Sequence, residues 1–69
     1  MPNYYVNKQA QPNGDHEVHK NTGCPHPANP KNRVPLGVHL SCTSAVKEAK
    51  KYFKQVNGCF FCARECHTS

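Results

Sequence analysis

Apolar residues recur along this chain in two rhythms, and the change between them marks its main division. Val34, Leu36, Val38 and Leu40 occupy every second position, with Pro35, Gly37 and His39 between them. That alternation predicts a strand with one buried face, whose start Pro35 places at an edge or bulge. From Ser41 onward the period becomes helical. Ala45, Val46, Ala49, Phe53 and Val56 line one stripe, Tyr52 flanks it, and Lys47, Glu48, Lys50, Lys51 and Lys54 fill the remainder. Ser41 or Thr43 can cap the start, and Gly58 after Asn57 suits a left-handed cap at the end. Upstream, Tyr4-Tyr5-Val6-Asn7-Lys8 is rich in strand-favouring residues, and His16-Glu17-Val18-His19-Lys20 alternates as a returning strand. Asn13-Gly14 between them is a turn dipeptide, so a hairpin is expected. Residues 21–33 hold Pro25, Pro27 and Pro30 and read as a loop. The expected fold is α+β: a three-stranded antiparallel sheet packed by one helix (βββα), with a cysteine-rich C-terminal tail. Residues 1–69 form a single small domain.

Length turns attention to the cysteines. A chain of 69 residues buries only about 60% of its unfolded surface and needs a staple. Five Cys are present, three of them in the tail as Cys59-x-x-Cys62-x-x-x-Cys66. No charged and apolar leader pattern precedes the first motif, and no apolar run is long enough to span a bilayer. A cytoplasmic setting with reduced thiols is therefore expected, where clustered cysteines serve metal sites or catalysis more often than bridges. An odd count also leaves one thiol over in an all-disulfide scheme.

The order of elements suggests which cysteines meet. In an antiparallel meander the second strand ends at the bottom of the sheet, with Cys24. The third strand climbs and carries Cys42 to the top. The helix then descends roughly 18 to 20 Å and delivers the tail to the bottom. The expected metal set is thus Cys24, Cys59, Cys62 and Cys66, with His67 or His26 as substitutes and Cys42 left apart as a small buried residue. Four thiolates in a tetrahedron suit structural zinc. A metal-free domain, with cysteines buried or partly paired as disulfides, is the competing reading.

Other residues read more plainly. His16, His19 and His39 are expected on strand surfaces, and Phe60 and Phe61 in the core. The lysines of the helix form its solvated side. A formal charge of +5 permits contact with nucleic acid or an acidic protein surface without requiring it. Cys59-Phe60-Phe61-Cys62 would serve as a redox pair, but no βαβ setting precedes it. Cys62 to His67 resembles only a lengthened haem-attachment motif. No phosphate loop, nucleophile elbow or set of paired carboxylates is present.

Taken together, Tyr4-Tyr5-Val6-Asn7, the run from Asn13 to His19, Gly23-Cys24, Leu36-Gly37, Cys42-x-x-Ala45-Val46-x-x-Ala49 and Asn57-Gly58-Cys59-x-x-Cys62-x-x-x-Cys66-His67 resemble a family of short, uncharacterised bacterial proteins. That resemblance covers nearly the whole chain and implies no particular activity. An upstream cysteine with a Cys-x-x-Cys after a helix is also similar to the zinc domain of methylphosphotriester DNA-repair proteins. Those carry two closely spaced cysteines where this chain has Cys24 alone. The functional expectation is a monomeric, non-enzymatic binding or interaction module stabilised by zinc. The alternatives are a basic nucleic-acid-associated protein and a thiol redox protein using Cys59 and Cys62.

Overall fold

Tyr4, Tyr5 and Val6 are all buried, and a strand buried at successive positions must be covered on both faces. In the computed structural model, which describes residues 1–68, this strand is β1 (Asn3–Asn7). It lies inside a four-stranded sheet with β2 (His16–Lys20), β3 (Arg33–Val38) and β4 (Val56–Gly58), in the order β3-β1-β2-β4. The expected hairpin is present: β1 and β2 pair antiparallel, and Gly14 takes φ +95° in the connection. The expected meander is not. β3 pairs antiparallel with β1, not with β2, and β4 adds in parallel on the far side of β2. The sheet is mixed and has four strands.

The loop between β2 and β3 explains the difference. It crosses the Tyr5 face of the sheet, where Ala28 N–H donates to the Tyr5 hydroxyl at 3.0 Å and Arg33 lies over the Tyr5 ring at 4.6 Å. Lys8 N–H donates to Asn32 O at 2.6 Å, fastening the loop's end beside the exit of β1. The chain therefore returns to the end of the sheet where β2 began. β3 then runs in the same direction as β2 and finishes at the same pole.

Alternation in β3 holds only as far as Leu36. Val34 and Leu36 pack on the core, but Gly37 takes φ +84° and the register against β1 shifts between Tyr4 and Tyr5. One residue is thereby inserted, and side chains beyond it change face. Val38 and Leu40, expected inside, are exposed.

The helix is shorter than its stripe suggests. α1 spans Cys42–Ala49 and turns Ala45 and Ala49 onto Val6, Val18 and Leu36. Continuation would set Lys47 against Lys51 and Lys50 against Lys54 at i, i+4 spacing, which is destabilising. Instead the chain turns at Lys50–Tyr52, and Phe53 stacks on His16 at 3.9 Å between ring centres. His16 N–H donates to Gln55 O at 3.0 Å, and Val56 to Gly58 enter the sheet. Ladder bonds and burial beside β2 outweigh the local helical preference.

Gly58 does not cap a helix. It lies in β4, where an added Cβ would stand 2.7 Å from Ala63 O and 2.7 Å from Cys66 Cβ. Only a bare backbone lets the tail fold over this point. Asn57, also buried, holds the tail from the other side: its Oδ1 accepts from Thr68 N–H at 2.8 Å and its Nδ2 donates to Thr68 O at 2.6 Å.

Asp15 ties the hairpin to β4, accepting from Gln55 Nε2 at 2.7 Å and Asn57 Nδ2 at 3.2 Å. The Gln55 bond, ahead of those from Asn57 and Asn13, holds its carboxyl below the ordinary value. A depressed folded-state pKa means this tie stabilises the fold above the unfolded pKa and is lost as pH falls through the folded one. In an NMR titration, Asp15 should show a midpoint below 3.8, and Gln55→Ala should move it upward. Gly58→Ala should cost about 1–3 kcal/mol in urea unfolding, as an overpacked site with backbone on one side. A neutral result would mean the tail does not pack on Gly58.

Candidate metal centre

Because β2, β3 and β4 all run toward one end of the sheet, every cysteine is delivered to the same pole. Cys24 lies just beyond β2, after Gly23 turns with φ +83°. Cys59 follows β4 directly, and its N–H donates to Val18 O at 2.9 Å, prolonging the parallel ladder. Ala63 N–H then donates to Cys59 O at 2.9 Å, closing a tight turn that swings Cys62 back toward Cys59. Lys20 N–H, at the end of β2, donates to Cys62 Sγ at 3.3 Å.

Four donor atoms meet there: His19 Nδ1 and the sulfurs of Cys24, Cys59 and Cys62, all within 4.8 Å of one another. Cys24 Sγ stands 3.7 Å from Cys59 Sγ and 3.6 Å from His19 Nδ1, and Cys62 Sγ stands 3.6 Å from the same nitrogen. These four groups could hold a metal ion. A tetrahedral ion with metal–sulfur bonds of about 2.3 Å and a metal–nitrogen bond of about 2.05 Å has edges of about 3.8 Å and about 3.6 Å. The three separations just given match those edges.

The expected set is thus reached only in part. Cys24, Cys59 and Cys62 come together, but the fourth donor is His19. Cys66 is bonded to Cys42 in a disulfide that links the start of α1 to the tail, across 24 residues. The expectation that Cys42 lies apart failed with the meander: a descending β3 starts the helix at the pole it was predicted to reach. His67 Nδ1 sits 3.0 Å from Gly58 O, and His26 packs against Phe61 at 4.5 Å between ring centres. Neither belongs to the cluster. The disulfide also resolves the odd cysteine count, since two are bonded and three remain free.

His19, expected on a surface, is 2% exposed. It lies on the face of β2 opposite Val18, directly across from Tyr5, and the two rings stack at 5.2 Å. Burial first, and then the charge of Arg33, hold its pKa down to about 4, so the ring is neutral at neutral pH. A neutral imidazole is the form that ligates. Its Nε2 faces Glu17 Oε1 at 3.5 Å. That places a carboxylate behind the ring, the partner that orients a metal-bound histidine and raises its basicity. One signal was available in the sequence. Glu17 and His19 share a strand face, and His19 precedes Cys24 by a short loop turned by Gly23.

The thiols carry the opposite electrostatic message. Burial pushes Cys59 up, and burial together with the neighbouring sulfurs of Cys24 and Cys59 pushes Cys62 up, against the lowering effect of the Lys20 N–H. Clustered buried sulfurs resist becoming anions unless a cation joins them. Phe60 and Phe61, expected in the core, are 44% and 54% exposed. Both flanking sulfurs turn inward, so the residues between them turn out.

The chain matches no family model, no curated protein and no solved structure. Among the described residues, no helix is long and apolar enough to cross a membrane.

Peptide mapping of the chelated, unreduced protein should find Cys42 linked to Cys66, and alkylation at Cys24, Cys59 and Cys62. Removing the link with Cys42→Ala and Cys66→Ala together should lower stability by about 2–4 kcal/mol in urea unfolding. A Cys24–Cys59 or Cys59–Cys62 bridge would contradict the arrangement.

Proposed function

We propose that this protein is a small, non-enzymatic binding module whose fold is clasped by one structural zinc ion on His19, Cys24, Cys59 and Cys62. The observation that carries this reading is the donor spacing, 3.6–3.7 Å for Cys24–His19, Cys24–Cys59 and Cys62–His19. Three thiolates and an imidazole are a soft set that favours zinc over magnesium, calcium or manganese. The edges suit one ion at the centre. All four positions are filled by protein, which is the closed arrangement of a structural site; catalytic zinc keeps a position open. The upward push on Cys59 and Cys62 also speaks against a redox pair, which needs an easily formed thiolate.

The clasp is well placed to stabilise the domain. It joins β2, the following loop and the tail, segments far apart in sequence. In a reducing cytoplasm, the setting expected from the sequence, the disulfide is the link that would open and the metal set the one that would persist.

Native mass spectrometry should show one zinc per chain, lost with chelator, and chelation should lower the melting temperature sharply once the disulfide is reduced. Cys62→Ser should abolish stoichiometric binding. Glu17→Gln should keep one zinc but weaken it about 10- to 100-fold in chelator competition. A wild-type protein that folds, reacts freely at all three thiols and takes up no zinc would overturn the reading.

A further inference from the structure

We infer that the outer face of the cysteine loop binds single-stranded nucleic acid, stacking bases on Phe60 and Phe61 and holding phosphates with Lys20, Arg64, Lys47 and Lys50. The inference rests on the clasp proposed above, because the turn between Cys59 and Cys62 is what holds both rings outward.

Adjacent exposed aromatic rings on so small a domain are a cost that burial would remove, and they mark an interaction surface. The rings are held by neighbours on some sides and stay 44% and 54% exposed. Phe60 and Phe61 meet edge to face at 5.2 Å, His26 leans on Phe61 at 4.5 Å, and His67 meets Phe60 at 5.4 Å. Arg64 lies over the Phe60 ring at 5.0 Å. Rigid aromatic faces beside cations form the arrangement that binds bases without regard to sequence.

A path for the backbone runs beside them. One cleft of about 410 Å³ lies between Phe61, Leu40, Lys20 and Arg64. A second, of about 440 Å³, lies between Val46, Lys47, Lys50 and Cys66. Glu65 borders both, so the clefts flank the short 3-10 turn of the tail (Arg64–Cys66). Among the described residues Glu65 is the one acid lining these clefts, against four cations. Charge complementarity therefore favours a polyanion, in keeping with the net +5 of the chain. The aromatic faces favour bases over the carboxylates of an acidic peptide. A duplex, with its bases already stacked, would use the cations alone.

The test is fluorescence anisotropy with labelled oligothymidylate of about 12 nucleotides, a length within the usual site size, on the zinc-loaded full chain. Binding should weaken with salt, with a log–log slope of about −3 for four phosphate contacts. Phe60→Leu and Phe61→Leu keep apolar bulk but remove the stacking face, and each should weaken binding at least about 5-fold. Arg64→Gln should weaken binding and reduce the slope by about 0.7. Zinc content, measured in parallel, should stay at one per chain in all three variants. No binding by a zinc-loaded wild type would overturn the inference and leave the clasp standing. Binding unchanged by both Phe→Leu variants, or equal competition by duplex or by oligoglutamate, would also overturn it. Absence of zinc from the wild type would instead sink the clasp and the inference with it.

Discussion

Three sulfurs and an imidazole nitrogen crowd within 4.8 Å at one pole of this domain, and that crowding constrains everything around it. Packed thiols cannot share charge without a cation, and burial raises the cost of each anion. A centre of this kind requires backbone firm enough to hold the donors at tetrahedral spacing. Here that firmness comes from β2. Its body carries His19, its end supplies the Lys20 N–H to Cys62, and its Val18 carbonyl receives Cys59 N–H. The same strand places Glu17 behind the imidazole.

The sheet order makes the convergence happen. Three strands run toward the pole and only β1 runs away from it. Each segment leaving a strand at that end delivers a sulfur: Cys24 after β2, Cys42 after β3, and Cys59 with its successors after β4. Two links between the tail and earlier parts of the chain result: a disulfide, and a donor set that could hold a metal ion. Such a division suits a protein with little apolar core beyond Tyr4, Val6, Val18, Leu36 and two alanines of α1. It also leaves the outer side of the tail free of packing duties, which is why Phe60 and Phe61 can stand exposed.

Local chemistry was legible where local chemistry decided the outcome. The hairpin follows from Asn13-Gly14 and the residues around it, the start of α1 from the apolar stripe after Ser41, and the loop from its prolines. The need for a staple follows from length and apolar content. The approach of Cys24 to Cys59 and Cys62 was also foreseen, but by a different route: the helix was expected to descend to the pole, whereas it starts there and β4 carries the tail back.

What the sequence could not determine was the neighbour of each strand. Either edge of the hairpin could accept a third strand, and the choice of β1 was made by a long loop packing on the Tyr5 face through Ala28 and Arg33. That choice reversed β3, brought Cys42 to Cys66 and so left His19 as the fourth member of the cluster. The end of α1 was likewise settled from outside, because residues 56–58 bury their backbone beside β2. Sequence set the residues capable of ligation and the turns that aim them. Tertiary structure alone decided which four would meet, because that depends on contacts between segments whose separation along the chain leaves no local trace.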